Sequence, residues 1–185
     1  MKNKLTLSKQ CAIRQHKGQY RKNNKTPYWH HLRDVVNNLE MMGIKDESIL
    51  CAGWLHDSIE DTSFDYDDVS KSFGKKIAQI VSDLTKETRL PTNQQEKNYL
   101  KQLSKSSWQS KVVKFADILA NVSDLKNSEL NQKQKITQVK YKIKYLGVIK
   151  SGIVENKNKI PNLFEAQNLL NSVFEQYGQR KTTLF

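Results

Sequence analysis

An all-α helical bundle is the fold class this sequence predicts, and three observations predict it. Apolar residues recur at i, i+3 and i+4 along most of the chain, only seven Gly and three Pro interrupt it, and no stretch alternates convincingly as a half-buried strand would. At 185 residues the chain fits one domain over 1–185, long enough to bury roughly 70% of the surface its unfolded form exposes. The first helix, 5–17, holds Cys11 in an apolar context. Segment 20–30 is polar and carries Pro27, so it reads as an ordered loop delivering His30 and His31 to the next helix, 31–42. Gly43 punctuates the step to helix 46–57, which contains the apolar run from Ile49 to Leu55, and Gly74 separates 66–72 from 74–86. Leu90-Pro91 precedes helix 93–104, and helix 109–126 follows. Two C-terminal helices, 132–156 and 162–177, complete the bundle. In the first of them Ile136, Val139, Ile143, Leu146 and Ile149 fall at helical spacing and read as core rather than as a partner interface. No internal repeat or low-complexity linker marks a boundary.

Charge narrows the function classes. The net charge is +12, and its distribution says more than its total. Residues 1–30 hold Lys2, Lys4, Lys9, Arg14, Lys17, Arg21, Lys22 and Lys25 with no acidic residue. Residues 46–68 invert this with Asp46, Glu47, Asp57, Glu60, Asp61, Asp65, Asp67 and Asp68 and no Lys or Arg. A phosphate-rich substrate bridging a cation-holding segment and an anion-holding one would suit both. Most of the other basic residues read as solvated surface. Nucleic acid is not an expected partner, because no aromatic-interleaved basic stripe or DNA- or RNA-binding motif occurs. No window approaches the ~20 apolar residues that span a bilayer, and the basic start has no apolar stretch behind it, so a cytoplasmic protein is expected. Cys11 and Cys51 form no Cys-x-x-Cys pair and read as free buried thiols.

The chemistry concentrates in Leu55-His56-Asp57-Ser58-Ile59-Glu60-Asp61-Thr62. A histidine and three carboxylates beside an apolar run are costly to desolvate unless a cation compensates them. Four residues suit one metal ion: His31 at a loop-to-helix junction, His56 and Asp57 at a helix end, and Asp117 on the apolar face of helix 109–126. Asp117 would destabilise that face unless it met a cation or strong donors. Neighbouring His56 and Asp57 lie ~100° apart around a helix, so both reach one ion only off the helix end or flank. A mixed N/O donor set suits manganese, iron, cobalt or zinc better than calcium. Glu60 and Asp61 follow within one turn, placed to take a proton from activated water and return it to a leaving oxygen; taken alone they would equally suit a helix cap or a solvated loop. His16 and His30 read as structural.

Five blocks in order then carry a family resemblance: Ala12 through Lys22, Thr26 through His31, Leu55 through Thr62, Phe73 through Lys86, and Lys114-Phe115-Ala116-Asp117 with Asn121. Over residues 10–126 the chain resembles the HD-domain phosphohydrolases, and within them the alarmone hydrolase branch shared by RelA/SpoT enzymes and the stand-alone small alarmone hydrolases. The resemblance implies a single HD-domain helical bundle with metal ligands at His31, His56, Asp57 and Asp117. It also implies a catalytic pair at Glu60 and Asp61 and substrate contacts at Arg21, Lys22 and Asn121. The implied reaction is manganese-dependent removal of pyrophosphate from the 3′ position of guanosine tetra- or pentaphosphate, by hydroxide attack at the metal centre. Ile118 and Ala120 depart from the basic residue and the larger polar or aromatic residue usual in that family. They leave room for a different nucleotide substrate, such as the phosphorylated nicotinamide cofactor NADPH. Beyond residue 126 the match fades, and Tyr141, Lys142, Lys144 and Tyr145 are only candidates for a pocket wall.

Overall fold

Side-chain caps set most of the helix starts. In the computed structural model, which describes residues 3–183, Asn3 Oδ1 accepts the Thr6 N–H at 2.8 Å and starts α1 (Lys4–Gln15). The chain then leaves the helical path through Gly18 at φ +83°. Helix α2 (Trp29–Met41) starts two residues before the apolar period does, because the Pro27 and Tyr28 carbonyls accept the His30 and His31 N–H groups. Both histidines therefore lie in the first turn of α2 rather than at the end of a loop. The loop before it is closed by an antiparallel bridge between Tyr20 and Pro27.

Asp46 caps α3 (Glu47–Leu55) by accepting the Ser48 N–H at 2.7 Å. The periodicity ran this helix to residue 57, but it stops at Leu55. The chain breaks direction at His56-Asp57 and forms a one-turn helix, α4 (Ser58–Asp61), that apolar spacing alone did not predict. An Asp65–Asp68 capping box starts α5 (Tyr66–Phe73), and Gly74 at φ +96° turns the chain into α6 (Lys75–Leu84). Pro91 precedes α7 (Thr92–Lys105), and Ser107 caps α8 (Trp108–Asp124). After a 3-10 turn at Leu125–Asn127, an Asn131–Gln134 capping box starts the long α9 (Gln132–Glu155). A second 3-10 turn, Lys157–Lys159, leads to α10 (Leu163–Gln176). The ends of the other expected helices fall within two residues of the periodicity. Among the described residues no strand forms, and no helix is long and apolar enough to cross a membrane.

Helix α8 is the hub, packed against α2, α3, α6, α9 and α10. Phe115, Ile118 and Leu119 on it are fully buried, each stabilising the fold by ~1.5–3 kcal/mol through burial. Val139, Leu146 and Ile149 of α9 are buried and Ile136 and Ile143 pack at the edge of the same core, as the helical spacing predicted. Cys11 and Cys51 are free buried thiols. Helices α2 and α3 approach closely because position 53 is glycine. A Cβ there would meet Leu39 Cδ1 at 2.8 Å and Val36 Cγ2 at 3.0 Å. That approach brings the first turn of α2 beside the C-terminal end of α3, and α8 closes the third side.

Candidate active site

Three helices meet at one cluster of imidazoles and carboxylates. His31 comes from the first turn of α2, His56 ends α3, Asp57 is the residue before α4, and Asp117 sits midway along α8. His31 Nε2 lies 3.3 Å from Asp117 Oδ1 and 3.6 Å from Asp57 Oδ2. His56 Nε2 lies 3.0 Å from Asp57 Oδ2 and 3.8 Å from Asp117 Oδ1. The helix break at 56–57 is what aims these adjacent side chains at one point. His31, His56 and Asp117 are all buried.

The surroundings orient each donor. His56 Nδ1 donates to the Gly53 carbonyl at 2.9 Å, which assigns the tautomer and leaves Nε2, buried and without a hydrogen-bond partner, facing the cluster. Tyr28 Oη donates to Asp57 Oδ2 at 2.7 Å. Asn121 Nδ2 donates to Asp117 Oδ1, and the Lys114 ammonium lies 2.9 Å from Asp117 Oδ2. Burial alone would raise the Asp57 and Asp117 carboxyls. The His56 and His31 imidazoles overcome it at Asp57, and the Lys114 and Lys142 ammoniums at Asp117, so both stay ionised well below the usual carboxylate range. Burial depresses His31, whereas at His56 the two carboxylates outweigh burial and pull the imidazole up to about 9. The two buried carboxylates thus make the centre of the cluster a place that favours positive charge. His31, His56 and Asp117 each offer a ligand atom within 4.8 Å of the others, a mixed N/O group that could hold a divalent transition metal, and Asp57 Oδ2 adjoins it 3.0 Å from His56 Nε2.

Glu60 and Asp61 lie on α4 and line the same cleft. Glu60 Oε2 accepts the Lys86 backbone N–H at 2.8 Å, yet burial and nearby Asp57 raise its carboxyl above the ordinary range. Burial raises Asp61 as well, with Asp57 adding to it. Neither caps the next helix; Asp65 does that. The Asp61 carbonyl accepts from Gln19, whose Oε1 lies 2.7 Å from His16 Nδ1. His16 is buried and stacked on Tyr28, and His30 stacks on Trp29, so both are structural, as read from sequence.

The cleft has a volume of about 230 Å³. Arg21, Lys22 and Asn121 line it together with His31, Asp57, Glu60, Asp61 and Asp117, and His56 joins them through Asp57; of the candidate wall residues Lys142 lines it, whereas Tyr141, Lys144 and Tyr145 line the neighbouring chamber. Arg21 pairs with Asp124 at 2.9 Å and donates to Asn121 Oδ1 at 3.3 Å, tying the 20–28 loop to α8. Burial lowers the Lys22 ammonium. Ile118, by contrast, is buried in the core, and Ala120 faces a shallow hollow with Asp34 and Asn37. Neither is among the residues that line the cleft, although Ala120 also borders a small recess with Arg21 and His31. Sequence reasoning did not assign Tyr28, Lys86, Tyr99 and Lys114, which line it. Lys114 had a legible signal: a lysine three residues before Asp117 on an apolar helix face, where only a mutual ion pair makes both burials tolerable.

Residues 9–143 match the family described as HD domain. The chain is 36% identical over 118 residues to the Drosophila melanogaster guanosine-3′,5′-bis(diphosphate) 3′-pyrophosphohydrolase MESH1, covering 63% of this chain and 66% of that one. It is 37% identical over 116 residues to the Homo sapiens protein of the same name, covering 62% and 65%. The chain therefore spans just under two thirds of the length of these curated relatives. A solved metazoan ortholog of SpoT, described as hydrolysing ppGpp and acting in starvation responses, superposes with a TM-score of 0.81. It is 28% identical and covers 96% of this chain and 97% of that one. With most of its length following the family pattern and the His31, His56, Asp57 and Asp117 cluster at its centre, the chain belongs to the HD domain family.

Proposed function

We propose that this chain is a metal-dependent guanosine-3′,5′-bis(diphosphate) 3′-pyrophosphohydrolase. The observation that carries the reading is the convergence of His31, His56, Asp57 and Asp117 at the floor of a cleft walled by Arg21, Lys22, Lys86, Lys114 and Lys142. The relatives that bear this activity in their names support it. A divalent ion held by the four residues, manganese on this reading, would supply the Lewis acidity that acidifies water and stabilises phosphoryl charge.

The protein's own groups do the rest. Glu60 and Asp61 are the proton carriers, because a carboxyl with a raised pKa accepts a proton near neutral pH more readily than an ordinary one. The Lys86 N–H fixes one Glu60 oxygen and leaves Oε1 as the oxygen available to the reacting water. Arg21, Lys22 and Asn121 bind the nucleotide, with Arg21 held in place by Asp124. Hydrolysis adds one water across the 3′ phosphoester and gives GDP and pyrophosphate. The apolar core joins the C-terminal helices to the family segment, and we read 1–185 as one domain. We place it in the cytoplasm.

The test is product analysis of metal-stripped protein given ppGpp with and without manganese, resolving GDP and pyrophosphate from GTP, GMP and inorganic phosphate. Manganese-dependent GDP and pyrophosphate are expected. No turnover with metal demonstrably bound would overturn the substrate assignment.

A further inference from the structure

Lys142 reaches three adjoining hollows: the catalytic cleft, a chamber of about 660 Å³ between α7 and α9, and a recess of about 60 Å³ beside Asn121 and Leu125. Its ammonium lies 5.6 Å from the centre of the Tyr145 ring, and those of Lys86 and Lys114 lie 5.4 and 5.2 Å from the same centre. Three cations therefore gather round one aromatic side chain. Lys114 is neutralised by Asp117. Among the described residues no carboxylate stands at ion-pair distance from Lys86 or Lys142, and Glu96 meets Lys86 only through the Tyr145 hydroxyl, which accepts from Lys86 at 3.1 Å and donates to Glu96 at 3.0 Å. Both lysines are partly buried; Lys142 also feels Asp117, whose carboxylate already pairs with Lys114, and the Lys86 and Lys142 ammoniums repel each other. A ligand with several phosphate oxygens would relieve that repulsion with charge-assisted hydrogen bonds.

The cluster's place in the cleft says which phosphates. Asp57, Glu60 and Asp61 mark the reacting end. Lys86 and Lys142 line both the cleft and the larger chamber and so stand where the two meet, whereas Asp57, Glu60 and Asp61 line the cleft alone. We propose that Lys142, with Lys86, is the subsite for the phosphate arm that is not cleaved, and so selects nucleotides phosphorylated at two positions over those phosphorylated at one. The assignment rests on the guanosine polyphosphate reading of the cleft.

Two measurements test it. With the manganese-loaded enzyme, K142M lowers kcat/KM for ppGpp about tenfold or more beyond whatever it costs on guanosine 3′-diphosphate, which lacks the 5′ arm, the excess being the weight of one charge-assisted hydrogen bond; K142R restores most of that excess. Equal losses on both substrates overturn the proposal. Separately, tripolyphosphate is titrated calorimetrically into metal-free protein in chelator. Tenfold or greater weakening by both K142M and K86M is expected, with K101M, on the exposed face of α7, binding as the wild type does. Unchanged binding by K142M and K86M overturns the subsite. Failure of the wild type to hydrolyse any guanosine nucleotide would sink the functional reading alone, since the titration decides the subsite without turnover.

Discussion

At Asp117 one oxygen faces the imidazoles and the other meets Lys114, whereas at Asp57 the oxygen that faces the imidazoles also accepts from Tyr28, so charge and orientation separate by substitution. Asp57→Asn and Asp117→Asn keep the shape and remove the charge that the cluster needs. Both are expected to lose bound metal and to lower turnover by more than the roughly 10–100-fold that losing a supporting partner costs. Elemental analysis and circular dichroism check that metal, and not helix, has gone. Tyr28→Phe removes only the hydroxyl that holds Asp57 Oδ2, with the ring still stacked on His16. About tenfold weaker metal binding in a chelator competition is expected. The nine candidate residues could be picked out because identities such as His56-Asp57 and Glu60-Asp61 sit in short local blocks. The Tyr28–Asp57 and Glu60–Lys86 bonds were not, since each joins residues 26 or more positions apart through geometry that spacing does not encode.

At the scale of elements, the site depends on how α3 is started and how closely it approaches α2. Gly53→Ala would press a methyl into Leu39 and Val36 and cost ~1–3 kcal/mol. It should lower the melting temperature and, by displacing His56 from His31, weaken metal binding as well, which calorimetry with and without metal would read together. At the other end of α3, burial alone would raise the Asp46 carboxyl, but Lys76 at 2.9 Å and the Ser48 N–H outweigh it and hold it below the ordinary value. A depressed carboxyl contributes stability above its unfolded pKa and loses it as pH falls through its folded one. Asp46→Ala should therefore destabilise by about 1 kcal/mol at pH 7, the usual worth of an N-cap. Asp46→Asn, which keeps the accepting oxygen, should cost less. In urea titrations both differences should shrink as pH falls below the ordinary aspartate range. Helix existence was readable from period alone, whereas α4 was not, because one turn is too short to show a period.

Across the whole molecule, the net charge of +12 and the cationic cleft walls should speed capture of a polyanion. Fields of this kind raise association rates by ~10–1,000-fold at low salt. Raising KCl from 50 to 500 mM should accordingly lower kcat/KM severalfold with kcat nearly constant, in a steady-state series at fixed manganese. The opposition of a basic N-terminal segment to an acidic middle one, visible in sequence, survives in part: Arg21 and Lys22 do face Asp57, Glu60 and Asp61 across the cleft. Lys86 after α6, Lys114 of α8 and Lys142 of α9, which complete the basic wall, could not be placed by that reading, because their meeting depends on helix packing.

The four donors His31, His56, Asp57 and Asp117 reach one another only when α8 docks on α2 and α3. On the ribosome, Asp57 emerges well ahead of Asp117, and at ~5–20 residues per second that interval lasts several seconds. A nascent chain in that window presents two imidazoles and one carboxylate without their fourth member, an incomplete chelate open to whichever cation is abundant. On the metal-site reading proposed above, loading comes after synthesis has passed α8, with the hub helix as the clasp that closes the site.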